Sequence, residues 1–263
     1  MRIKKIILES LILPFKRRKS FLVVIVLAML CEIITHYFYS LKLGNWSILL
    51  MIFNSVITIL ILGLMINITD HAVFEEKIKL NFLEHLVQGL KDYIITAYYM
   101  FLTFIISSFL IIPTGAYSQL TKLHQYILTN NLNVAIMTVS ELSHQLPVSL
   151  KLDLAHFLQL NLLLSIIIFI TLISFAFIGK ILLIKTDNML YAFDIRVIFK
   201  IIKNIGIIRY LKFLFIILLI VVILFNVLIL LEDYASGIFI SALMEASILF
   251  ILTNAFYQFI ENK

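Results

Sequence analysis

Six polar side chains fall inside long apolar stretches: Glu32, His36, Asn54, Asn226, Glu245 and Asn254. An ionisable group near the middle of a bilayer costs at least about 2.5–3.5 kcal/mol, so it faces protein or water and often marks an ion or proton path. Glu32 and His36 stand one helical turn apart and could share a proton. Glu245 has no cation in its own stretch, so it is either protonated or hydrogen-bonded to Asn226 of the preceding one. One reading of this set is a proton or cation relay. The other makes Glu32 and His36 residues of the outer interface and Glu245 an interhelical anchor. The asparagines then serve as helix glue worth roughly 0.6–2 kcal/mol each. The second reading asks less of the chain and carries more weight.

No other cluster assembles a reaction. His124, His144 and His156 lie in one polar segment with Glu141, but their spacing matches no zinc pattern, and solvated histidines are expected instead of a metal site. The lone Cys31 excludes an internal disulfide and a thiolate cluster. There is no H-E-x-x-H, no phosphate-cradling glycine loop and no G-x-S-x-G. Neither an enzyme nor a bound cofactor is expected. The remaining chemistry is positive charge. Arg17, Arg18 and Lys19, with Arg196, Lys200, Lys203 and Arg209, would each draw an anionic lipid headgroup by about 1 kcal/mol. Topology control requires such charges in any case. The formal net charge of +6 does not point to nucleic acid, because the cations sit beside apolar runs.

These residues need helices to hold them. Of 263 residues, 62% are hydrophobic and 14% charged, and mean hydropathy is +1.09. A soluble domain holds roughly 45–50% apolar residues and could not hide the excess. With 7 Gly and 3 Pro the chain has little turn chemistry. Six apolar runs are long enough for a core of roughly 30 Å. They are about Ser20–Ser40, Trp46–Ile66, Tyr93–Pro113, Phe157–Ile178, Leu211–Leu231 and Ile238–Phe259, the fourth blurred at its end by Gly179-Lys180. Of 21 Lys and Arg, only Lys42, Lys122 and Lys151 fall outside if the N-terminus is cytoplasmic. The positive-inside rule therefore puts both termini in the cytoplasm of a cell-membrane protein. The basic start followed by an apolar run is read as an uncleaved first span, since no A-x-A-like site follows.

An amphipathic inner segment precedes a spanning pair three times. Arg2, Lys5 and Glu9 line one side of the first. Lys77, Asn81, Glu84, Gln88 and Lys91 line the second, opposite Phe82, Leu83, Leu86 and Leu90. In the third, Arg196, Lys200 and Lys203 oppose Ile195, Ile198, Phe199, Ile202 and Ile205, and the chain runs on to Leu231 before Glu232 and Asp233. This reads either as three parallel helix-plus-hairpin repeats or as the ordinary basic linkers of a multispan protein. A single membrane domain over 1–263 is expected, capped outside by residues of about 114–156. Within the cap, Leu120, Leu123 and Ile127 share one helical face. Leu132, Ile136, Val139 and Leu142 share another, with a break at Asn130-Asn131 and a stop at Pro147.

The stretches IILESLILPFKRRKSFLVV, NFLEHLVQGLKDYIITAYYMFLTFIISSFLIIP and AFDIRVIFKIIKNIGIIRYLKF together resemble the prokaryotic membrane family known as domain of unknown function 4013, found largely in methanogenic archaea. That resemblance implies a multispan α-helical protein and supplies no catalytic or binding residues. The expectation is an all-α integral membrane protein of about six transmembrane helices with cytoplasmic amphipathic interface helices. It would be a non-enzymatic component interacting with the lipid bilayer, anionic lipid, a membrane-protein partner or a second copy. The alternative is a small-solute or proton-coupled transporter.

Overall fold

A computed structural model describes residues 3–40, 46–74, 81–132, 137–231 and 237–261. Arg2, Lys42, Lys77, Ile136, Glu232 and Asp233, named above, lie outside them. The described residues form eleven helices. Six are long and apolar enough to cross a bilayer: Arg18–His36, Ile48–Thr69, Phe82–Ile111, Val148–Thr186, Ile207–Val227 and Gly237–Glu261. Each coincides with one of the six expected runs, and the protein is an all-α multi-pass membrane protein. Large apolar side chains such as Phe104, Ile208 and Phe215 are exposed along these helices. In water that surface would drive aggregation; in lipid tails it is the solvated one.

The chain divides into two compact units, residues 1–97 with 174–263, and residues 98–173. In the first, α1 (Ile3–Lys16), α2 (Arg18–Ser40), α3 (Trp46–Phe74) and α11 (Gly237–Glu261) pack around one apolar core. Leu13, Val24, Ala28, Ile57, Ile61, Leu64, Ala242, Ala246 and Phe250 fill it. Small residues at Ala28, Ala242 and Ala246 let the helices approach closely, which is where association in lipid gains its packing energy. Ile6, Ser10 and Leu13 bury one side of α1, while Lys5 and Glu9 form the expected i,i+4 pair at 3.8 Å on the other.

The stretch after Asn188 breaks as its sequence dictates. Asp194 caps α9 (Ile195–Ile205) by accepting from the Arg196 amide at 2.9 Å, and Gly206, at φ 97°, ends it. A positive φ of this kind suits glycine because it carries no Cβ. Ile198, Ile202 and Ile205 are buried while Arg196, Lys200 and Lys203 are exposed. Phe199, on the apolar side with these isoleucines, is nevertheless 57% exposed, in an edge-to-face contact with Phe175. The helix restarts as α10 (Ile207–Leu231). An interface helix thus feeds a span, as at α1 and α2, where Arg17 marks the junction.

The middle segment departs from this pattern. From Phe82 it is continuous with the span as α4 (Phe82–Ile111), 30 residues or about 45 Å at 1.5 Å per residue. Its buried stripe is not Phe82, Leu83 and Leu90, which are exposed, but His85, Gly89, Asp92, Ile95 and Tyr99. Lipid explains the inversion: acyl chains accept Leu and Phe as readily as a protein core does, whereas His and Asp need protein partners.

In the second unit, α5 (Ala116–Thr129) ends at Asn130 and Asn131, the latter at φ 51°. The short α6 (Val139–Gln145) begins later than the apolar spacing from Leu132 suggested. It starts there because Thr138 and Glu141 form a capping box. Beyond Pro147, α7 (Val148–Thr186) runs unbroken for 39 residues, so the expected cap loses Asp153 and His156 to a long helix. Lys122 to Asp153 at 3.5 Å ties α5 to α7. The Tyr126 hydroxyl donates to the Gln145 carbonyl, and the Thr114 hydroxyl to Asn161 Oδ1 at 2.9 Å.

The Glu141 carboxylate is held below its usual range by the Thr138 amide first and the Thr138 hydroxyl second. A lowered folded-state value means the cap contributes above the unfolded carboxylate pKa and is lost as pH falls through the folded one. NMR shifts of α6 should therefore report fraying below about pH 4. Glu141→Gln should keep the helix capped through that range, and an unchanged acid transition in that variant would dissociate the fraying from Glu141.

Candidate functional site

Two adjacent residues of α4 find opposite charges near the end of α7. Asp92 pairs with Lys180 at 3.1 Å, their side chains 3% and 11% exposed. Lys91 pairs with Asp187 at 2.6 Å where α7 stops. The two pairs have reversed polarity, so sliding α4 along α7 would bring like charges together. Asp187 sits at φ 48° and its carboxyl is held below the usual range, chiefly by the hydrogen bond from Lys91 and then by that cation's charge. Lys185, one turn after Lys180, pairs with Glu261 of α11. The Lys180 ammonium also lies 5.2 Å from the Phe177 ring centre, and cation–π attraction grows when water is excluded.

Beside this seam α3 and α4 touch backbone to backbone. A Cβ on Gly63 would overlap the His85 carbonyl oxygen, and one on Gly89 the Ile59 carbonyl oxygen. His85 is itself buried at that crossing. None of Asp92, Lys180, His85, Gly63 or Gly89 stood out as a site in the sequence. The signal was present in Lys180, a single cation inside an apolar run. A charge so placed must have a partner, but nothing local says which.

The residues singled out by sequence are distributed over several places. Glu32 Oε1 accepts from the Ser241 hydroxyl at 2.5 Å, joining α2 to α11. Glu245, one turn further along α11, is close enough for the two carboxyls to act on each other electrostatically. Both are half-buried at the edge of the apolar core, and His36 is exposed one turn along. Asn54 donates to the Thr35 hydroxyl at 3.3 Å between α3 and α2. Asn254, buried, donates to the Ser10 hydroxyl at 3.1 Å and fastens α11 to α1. Asn226 does not reach across to Glu245: it is exposed and gives its amide to the Val222 carbonyl of its own helix at 2.8 Å. In a helix so apolar, satisfying the side chain locally costs less than bending a neighbour toward it. His124, His144 and His156 are all exposed. Among the described residues no three His, Cys, Asp or Glu gather where an ion could bind.

The cations of the junctions face outward. Arg18, Lys19, Arg196, Lys200 and Lys203 are exposed, and Arg17 and Arg209 half-buried. Arg18 Nε donates to the Phe15 carbonyl, and the Arg209 guanidinium lies 5.8 Å from the Phe259 ring centre. The α9 cations are set in position because the helix is held from beneath by Ile198 and Ile202. The geometry therefore offers one buried charge seam, one carboxylate–hydroxyl link and a basic surface above a packed bundle.

Against known proteins, the sequence model of the family described as protein of unknown function (DUF4013) matches residues 46–232. That span contains the seam, the Gly63–Gly89 crossing and α9, but not Glu32, Glu245, Asn254 or the stretch around Arg17. No curated protein and no solved structure matches.

Proposed function

This chain belongs to the DUF4013 family of proteins of unknown function, and on that premise we propose that it is a non-enzymatic component of the cell membrane that binds anionic lipid or a protein partner through its basic surface. The carrying observation is α9, which buries Ile198, Ile202 and Ile205 and whose exposed side carries Arg196, Lys200 and Lys203 beside Phe199. The distribution of Lys and Arg supports cytoplasmic termini, which would set this surface against the anionic leaflet at about 1 kcal/mol per charge. The intramembrane polar groups fit a structural role: Asn54, Asn254 and Glu32 each link two helices.

The test is lipid retention by the purified protein, read by native mass spectrometry, together with crosslinking in cells. Enrichment of anionic over zwitterionic lipid, or recovery of a defined crosslinked partner, is expected. Neither preference nor partner would remove the basis of the proposal.

Transport is the second reading, favoured by the nearness of Glu32 and Glu245 between α2 and α11. Proton-coupled flux in proteoliposomes that Glu32→Gln and Glu245→Gln abolish would place it first.

A further inference from the structure

Gly206 turns the chain between α9 and α10, and a cavity of about 810 Å³ opens at the bend. Ile3, Lys203, Gly206, Ile207, Ile208, Arg209 and Lys212 line it. A second cavity of about 420 Å³, lined by Ile3, Leu211, Lys212, Phe215 and Ile216, shares Ile3 and Lys212 with the first. The two form one groove down the first three turns of α10, cationic at its mouth and apolar beyond. We infer that this groove is a site for one glycerophospholipid with an anionic headgroup, its phosphate among Lys203, Arg209 and Lys212 and an acyl chain along Leu211, Phe215 and Ile216. The inference rests on the lipid reading proposed above and narrows it to a place.

Charge complementarity argues for the headgroup. The lining holds three cations and no carboxylate. Lys203 and Lys212 are exposed and enter no ion pair among the described residues. Arg209 is steadied on the Phe259 ring. The first-turn amides of α10, from Ile207 to Arg209, have no acceptor within the helix, and these three residues belong to the same lining. Shape argues for the chain. Ile208, Leu211 and Phe215 are more than half exposed on a helix apolar enough to span. Arg209 and Ile216 are about 10 Å apart along the axis at 1.5 Å per residue, so the charge gives way to hydrocarbon over the depth at which a phospholipid does. Free phosphate would leave the apolar arm empty. An acidic peptide entering that arm would carry unsatisfied backbone groups into lipid.

Full-length protein in a neutral detergent can be titrated with phosphatidylglycerol, with phosphatidylcholine of the same chains, and with inorganic phosphate as competitor. Saturable retention of one phosphatidylglycerol is expected. Lys203→Gln with Lys212→Gln should weaken it roughly 30-fold, as two headgroup charges would. Leu211→Trp, which crowds the apolar arm, should weaken it as well. Lys16→Gln with Lys151→Gln removes equal charge at positions outside the basic surface and the groove and should leave it within about twofold. Equal loss from both charge pairs would overturn the groove and leave a diffuse basic surface standing. Indifference to Leu211→Trp, or displacement by phosphate, would overturn the lipid assignment. If wild type shows no preference for phosphatidylglycerol, the groove assignment falls together with the lipid half of the proposed function, and the protein-partner half is left standing. Unchanged thermal stability of each variant excludes unfolding as the cause.

Discussion

Asp92→Ala should cost about 3–5 kcal/mol of stability, the loss associated with leaving one member of a buried ion pair without its partner. Lys180 is 11% exposed beside Asp92, and Phe177 attracts a cation too weakly to replace a carboxylate. Lys180→Met removes the other partner and should cost a comparable amount, because it strands the buried Asp92 carboxylate in turn. The variant carrying both Asp92→Leu and Lys180→Met should recover most of the loss, since two apolar groups of similar volume are often as stable as the pair they replace. Reversible unfolding in mixed micelles gives the coupling energy from the four proteins of this cycle. A coupling below about 0.5 kcal/mol would mean the two charges are solvated separately.

The second large effect is expected at the crossing of α3 and α4. In an isolated helix Gly→Ala stabilises by about 1 kcal/mol. At Gly63 and Gly89 the sign should reverse, because the added Cβ meets backbone carbonyls that cannot rotate away. Overpacking typically costs 1–3 kcal/mol, and two rigid helices in contact belong near the upper end, about 2–3 kcal/mol for each single variant. Gly63→Ala with Gly89→Ala should cost less than the sum, since once the helices have parted for one Cβ the other fits. The same unfolding assay reads it. Additive losses would mean two unrelated contacts, and a gain in stability would mean the backbones are not in contact.

Several features were legible because they are local. Six apolar stretches found six spanning helices, since transfer of a helix into hydrocarbon is close to a sum over its own residues. Asn130-Asn131 and Pro147 marked the ends of elements through their own backbone preferences, whereas the breaks at Asp194 and Gly206 that bound α9 went unread because the apolar pattern runs on through them. The single face of α9 was correctly divided except at Phe199.

A rule that turns the apolar side of a helix inward would not have found the packed face of α4, for a general reason. That rule assumes water outside, and for most of this helix the outside is lipid. Only the tertiary structure decided that His85, Gly89 and Asp92 form the inward stripe. It also decided that Lys91 meets Asp187, 96 residues away, and that Ser10 meets Asn254, 244 away. The sequence by itself determined which segments leave water, because that choice is made residue by residue. Which sides of those segments meet was left to pair interactions between distant residues, and hydrophobicity cannot rank these when every neighbour, protein or lipid, is equally apolar.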